Sequence, residues 1–124
     1  MCGIVGFWGS SETRDIDIII DSMSKKITSR GPDAYGNWNK KEIGLAIGHR
    51  RLSIIDISKN GSQPMISKSK RYVISYNGEI YNHLEIRKLL RNQFSFDQWR
   101  GVSDTETLLV GIEFFGLQNM LEKI

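Results

Sequence analysis

Ile16, Ile19, Ile20, Met23 and Ile27 recur at helical spacing inside DIDIIIDSMSKKITSRGPD, which predicts a one-sided helix. Such a helix must lay its stripe on another layer of structure. Its neighbours in the chain supply that layer. Before it, CGIVGFW reads as a buried strand carrying two glycines, and glycine within a strand often marks a close backbone approach. After it, Gly31 and Pro32 form a stop signal. YGNWN and EIGLAIGH then read as two strands joined by a turn at Lys40–Lys41. The expected beginning of the fold is a helix on a sheet.

RLSIIDI continues as extended chain, and SKNGSQPM is a loop with turn chemistry at Asn60–Gly61. RYVISYNGEIYN reads as a strong β-branched and aromatic strand that runs into a glycine turn. Two capping-box patterns announce helices. Asn82 with Glu85 precedes Ile86, Leu89 and Leu90, and Ser103 with Glu106 precedes Leu108, Leu109, Ile112 and Phe115. Between them QFSFDQW reads as a short strand. GLQNMLEKI begins a further helix without a closing cap, so a fragment of a longer protein is expected. With 124 residues, 40% hydrophobic and 25% charged, the chain has enough apolar matter for the core of one domain.

One cysteine in the chain excludes a secreted scaffold held by internal disulfides. No stretch approaches the ~20 apolar residues of a membrane span, and no basic segment opens a signal peptide. A cytoplasmic protein without a membrane partner is expected. The net charge of +3 is spread over separate pairs, Lys25–Lys26, Lys40–Lys41 and Arg50–Arg51. They read as solvated surface rather than a nucleic-acid footprint. CxxC, HExxH and acidic clusters at metal-ligand spacing are missing, so no metal site is expected. His49 and His83 stand alone and read as hydrogen-bonded structural residues.

The lone cysteine is Cys2, directly behind the initiator methionine. Removal of Met1 would give it a free α-amino group with an ordinary pKa near 8, against about 8.5 for a thiol. The amine can then take the thiol proton, so one residue carries both nucleophile and base. Gly3 leaves room for a substrate beside the sulfur. Alone, a second-position cysteine is more often incidental. SYNGEIYN offers two donors for a developing oxyanion, the Asn77 side-chain amide and the Gly78 N–H, although Asn-Gly is also the commonest hairpin turn. GHRRLSIID holds arginines able to clamp a carboxylate in bidentate fashion, or merely to charge a surface. Asp104 in VSDTET serves either the dipole of the helix it opens or a substrate ammonium.

The string MCGIVGF, RGPDAYG, GHRRLSIID, QPM, YNGEIYNH and SDTETLL, in that order, resembles the glutaminase domain of class II glutamine amidotransferases. RGPD, HRRLSIID and QPM resemble the asparagine synthetase branch in particular. The resemblance runs from Met1 to about Phe115. It implies that Cys2 is the nucleophile and that Asn77 and Gly78 donate to the oxyanion. It implies that Arg51 binds the glutamine α-carboxylate, with Arg50 a neighbour outside the clamp. Glu79 and Asp104 would contact the α-amino side, and the backbone around Ile54 would touch substrate. Arg30 would order the loop near the nucleophile.

The implied fold is α+β: the four-layer α-β-β-α sandwich of antiparallel sheets found in N-terminal-nucleophile hydrolases, here incomplete. Residues 1–124 would form the N-terminal part of a glutaminase domain, with its C-terminal part and an ATP-binding synthetase domain absent. The implied activity is hydrolysis of glutamine to glutamate and ammonia, feeding an ATP-dependent amidation such as asparagine synthesis from aspartate. The glutaminase half needs no cofactor. ATP and Mg²⁺ belong to the synthetase domain of the same full-length chain, and a homodimer stays open. Two alternatives remain: a non-catalytic regulatory domain that kept the fold, and an enzyme that amidates another acceptor, such as a surface-polysaccharide sugar acid.

Overall fold

The computed structural model describes residues 2–9, 15–52 and 58–124. The fold is α+β, with antiparallel sheets and four α-helices among these residues. It divides into two compact units: Met1–Ile54 with Ser62–Pro64 and Ser75–Asn77, and Ile55–Gly61 with Met65–Ile74 and Gly78–Ile124. No described helix is long and apolar enough to cross a membrane.

The first unit contains strand β1 (Gly3–Trp8), helix α1 (Ile16–Lys26), strand β2 (Ala34–Lys40) and strand β3 (Leu45–Arg51). The strands form an antiparallel sheet in the order β1-β3-β2. Helix α1 lays Ile16 and Ile20 on Ala46 of β3, with Val5, Phe7 and Met23 packed around them. The buried stripe is narrower than the sequence suggests. It runs through Ile16, Ile20 and Ser24, while Ile19 lies towards solvent. Ser24 takes the third place because Gly48 leaves space for its hydroxyl, which donates to Asn37 Oδ1 at 2.7 Å.

The helix ends at Lys26, before the expected Gly31–Pro32 stop, and a 3-10 turn follows over Thr28–Arg30. Its last carbonyls already have donors. Thr28 Oγ1 donates to Lys25 O at 2.7 Å and Arg50 Nε to Ser24 O at 3.0 Å. A cation at this end also suits the helix dipole. Gly31 serves a tight approach instead: a Cβ there would run into the backbone of Arg50 and Arg51.

Strand β1 is not buried on both faces, as its apolar run suggested. Ile4 is 44% and Trp8 80% exposed, while Val5 and Phe7 turn to the core. The cause is that α1 covers one face of the sheet. The expected turn at Lys40–Lys41 is a 3-10 turn over Lys41–Ile43, closed by Gly44 at φ 64°.

The second unit holds a short hairpin, β4 (Met65–Ile66) with β5 (Val73–Ile74), and helices α2 (His83–Phe94), α3 (Asp104–Phe115) and α4 (Leu117–Leu121). Among the described residues RYVISYNGEIYN thus yields two strand residues rather than a long strand; beyond them the Ser75 hydroxyl meets His49 and the Tyr76 N–H donates to the Gln63 side chain. QFSFDQW forms no strand. Its rings pack instead: Phe96 lies 5.0 Å from Trp99 and 5.3 Å from Phe114 between centroids.

Helices α2 and α3 begin where expected, but neither makes the full capping box. Asn82 makes no side-chain cap and sends Nδ2 to Lys123 O at 2.7 Å. Ser103 Oγ accepts from Thr105 N–H at 3.2 Å, whereas Glu106 turns away to residues 100 and 101. Residues 104–111 of α3 are all buried, and Gly111 makes room for Met120 of α4.

Candidate functional site

Strand alternation sorts the first unit's polar residues onto two faces. Gly3, Val5 and Phe7 of β1 share the α1 face with Arg50, the partner of Gly3. Arg50 spends its side chain there. Besides Ser24 O, it donates from Nη2 to Thr28 Oγ1 at 2.8 Å and stacks 4.7 Å from the Tyr35 ring centre. Arg51, one residue on, belongs to the opposite face and pairs with Ala34. It is buried, and its carbonyl accepts from Asp33 N–H at 3.1 Å.

Cys2 continues β1 into the register position opposite Arg51. Its Sγ accepts from Leu52 N–H at 3.3 Å and donates to Leu52 O at 3.7 Å. The nucleophile candidate and the arginine candidate therefore lie together at one end of the sheet, on the face that α1 leaves open. Gly3 does not clear space for a substrate. A Cβ there would meet Ile27 and the stem of Arg30 on the α1 face. Arg30 thus packs beside Gly3, the neighbour of Cys2.

The segment Ser75–Asn77 is tied to this same open face. His49 of β3 pairs with Ile4 and Gly36, and its Nδ1 lies 2.9 Å from Ser75 Oγ. Tyr76 N–H donates to Gln63 Oε1 at 2.6 Å. Gln63 is seated on the sheet by its own carbonyl, which occupies the place of a Cβ at Gly36. Asn77 follows these two ties and is exposed.

His49 is fully buried, and its Nε2 finds no partner among the described residues. Burial, assisted by the Arg51 charge, pushes its pKa down from 6.5 to about 4. Above pH 6.5 the folded and unfolded chains both hold this ring neutral. Below it the unfolded chain takes up a proton that the folded one refuses until about pH 4. Stability should therefore fall as pH drops through that window, by on the order of 1–3 kcal/mol. Urea unfolding of the full-length protein between pH 7 and 4 checks this, with His49→Asn expected to lose that component of the slope. The Nδ1 of His83 is buried and finds no partner among the described residues.

In the second unit, Gly78 and Glu79 are exposed and Asp104 is buried at the start of α3. Asp104 Oδ2 accepts from Ile80 N–H at 2.9 Å and Oδ1 from Thr105 N–H at 2.8 Å. The carboxylate thus caps its own helix and holds the chain just beyond Glu79. The two uses of Asp104 left open by the sequence are compatible, since a carboxylate has about four acceptor sites. Ile54 lies outside the described residues. No cluster of three potential metal ligands occurs among the described residues.

Sequence reasoning missed the support behind Asp104. Glu106, 2% exposed, accepts from Arg100 N–H, Arg100 Nε and Gly101 N–H at 2.9, 3.1 and 3.0 Å. Arg87 lies 3.7 Å from the same carboxylate and 3.9 Å from the Trp99 ring centre. It donates to Thr107 Oγ1, Gly101 O and Ser103 O. A buried glutamate three residues after a cap reads in sequence as part of that cap, and no local signal gives it away.

The family model for the glutamine amidotransferase domain matches residues 1–124. The chain is 41% identical over 115 residues to glutamine-hydrolyzing asparagine synthetase 1 of Bacillus subtilis (strain 168), a match spanning 88% of this chain and 17% of that protein. It is 35% identical over 127 residues to glutamine-hydrolyzing asparagine synthetase 1 of Arabidopsis thaliana, spanning 100% of this chain and 20% of that protein. A putative glutamine-hydrolyzing asparagine synthetase 2 of Methanocaldococcus jannaschii is 36% identical over 127 residues, 88% of this chain and 23% of that protein. The chain thus spans about one-fifth of the length of these curated relatives. Matched along its whole length, with a cysteine at position 2 set beside an arginine on the open face of its sheet, the chain belongs to the glutamine amidotransferase domain family.

Proposed function

We propose that this chain is the active-site part of the glutaminase domain of an asparagine synthetase-like amidotransferase, and that it hydrolyses glutamine. The observation that carries the reading is the meeting of Cys2 and Arg51 at the sheet end, with the chain leading to Asn77 tied to the same face. The relatives' names favour this activity over a non-catalytic regulatory domain, and favour aspartate over a sugar acid as the ammonia acceptor.

The chemistry follows from the groups. Arg51 takes the α-carboxylate of glutamine as a bidentate partner. Glu79 and Asp104 take its α-ammonium, and the backbone near Ile54 lines the bound chain. With Met1 removed, the Cys2 amine accepts the thiol proton, and the sulfur adds to the side-chain amide carbon. The N–H of Leu52 still donates to the sulfur once it is a thiolate, which accepts hydrogen bonds and no longer donates one. Asn77 Nδ2 and Gly78 N–H stabilise the oxyanion, which develops only as the tetrahedral centre forms. The Cys2 ammonium returns its proton to the departing nitrogen, the C–N bond breaks and ammonia leaves. Water, deprotonated by the same amine, then cleaves the γ-glutamyl thioester to glutamate and restores the thiol.

In the full-length protein the remainder of the domain would complete a four-layer α-β-β-α sandwich, supported by the placing of α1 on one sheet face and the site on the other. A synthetase domain beyond it, using ATP and Mg²⁺, would consume the ammonia. The glutaminase step itself draws on no cofactor. A thiolate nucleophile suits a reducing, cytoplasmic setting.

A glutamine analogue bearing a chloromethyl ketone in place of the amide should alkylate Cys2 in the full-length, methionine-free protein, with chloride leaving. Intact-mass and peptide analysis should find one adduct on the N-terminal residue, with free glutamine protecting. Absence of that adduct would defeat the assignment.

A further inference from the structure

Asn77 needs an aim, and among the described residues strand β5 stops at Ile74, three residues before it. The backbone N–H of Tyr76, in the Ser75–Tyr76 peptide one removed from Asn77, is held by Gln63 Oε1 at 2.6 Å. Gln63 is itself immobilised, because its carbonyl fills the gap that Gly36 leaves on the sheet. The neighbouring Ser75 is fixed separately through His49 of β3. We propose that Gln63 is a positioning residue for the oxyanion donor: its side-chain carbonyl locks the Ser75–Tyr76 peptide and so directs the Asn77 amide towards the reacting carbon.

This inference rests on the glutaminase reading above. Its physical content is that an oxyanion donor acts only if preorganised, and that a misplacement of about 1 Å costs on the order of 10²-fold in rate. A residue that acts only through Asn77 should show its loss in kcat and leave the binding of glutamine intact. A glutamate in its place keeps an acceptor oxygen at the same reach.

The test uses steady-state glutamate release by the full-length protein, with alkylation of Cys2 by iodoacetamide as a second readout. Alkylation at a tetrahedral carbon requires the nucleophile but no oxyanion donor. In Gln63→Met, kcat should fall by about 10–100-fold, with KM and the alkylation rate as in the wild type. Gln63→Glu should restore most of kcat. The Gln63→Met, Asn77→Ala double variant should be no slower than Asn77→Ala alone, because a residue acting through Asn77 has nothing to add once Asn77 is gone. Gln63→Ser serves in place of the methionine variant should that one fail to fold.

An unchanged kcat in Gln63→Met beside an impaired Asn77→Ala would overturn the inference and leave the glutaminase reading standing. So would additive losses in the double variant, or a defect confined to KM. Full activity in Asn77→Ala would overturn both together.

Discussion

Full-length protein carrying Cys2→Ala is expected to release glutamate from glutamine at the background rate, a loss in kcat of at least about 10³-fold. The effect is this large because the substitution removes the attacking atom, and these 124 residues hold no second cysteine. The α-amine survives in the variant, as do Arg51 and Asn77, so glutamine should still bind with a KM-like affinity. On the proposed reading, in which a synthetase domain consumes the ammonia, supplying ammonium salts in place of glutamine should leave product formation unaffected, since that route bypasses the thiol. The pair of measurements separates lost chemistry from a lost fold. Wild-type glutamate release by the alanine variant would remove Cys2 from the reaction.

How far the sequence leads is shown by Arg50 and Arg51. Spacing alone could not choose between two adjacent arginines, and resemblance to the amidotransferases selected the second. The register supplies a physical distinction: adjacent strand residues face opposite ways, and Arg50 is used to cap α1. Gly3 shows the converse. A missing side chain was rightly read as clearance, but a sequence does not reveal which face is being cleared, and the clearance serves Ile27 and Arg30. The stripe of α1 was legible because a 3.6-residue period reports one buried face. Its width was not, because Ser24 and Gly48 are a packing pair from distant parts of the chain. The β-branched run after Tyr72 promised a longer strand than β5. Local propensity yields there to the tertiary bonds made by His49 and Gln63.

Glu106→Ala is expected to destabilise α3 by about 3–5 kcal/mol, the range found when one partner of a buried charge pair is removed. The carboxylate accepts from two backbone amides, those of Arg100 and Gly101, and both would be left without that acceptor. Arg87 would lose the charge that faces it at 3.7 Å, while staying stacked on Trp99 and bonded to neutral oxygens. The Arg100 ion pair contributes little to the total, because the arginine is half exposed. In hydrogen exchange on the full-length protein, the slowest α3 amides should exchange on the order of 10²–10³ times faster, at about 1.4 kcal/mol per decade. Adding Arg87→Met should recover part of the loss by removing the orphaned cation. Unchanged α3 protection in Glu106→Ala would show that the pair carries no stability. The consequence reaches the site through covalent neighbours. Residues 100–103 lead into Asp104, and Asp104 holds Ile80 just beyond Glu79. Loosening the start of α3 should therefore raise the KM for glutamine while Cys2 alkylation proceeds at its wild-type rate.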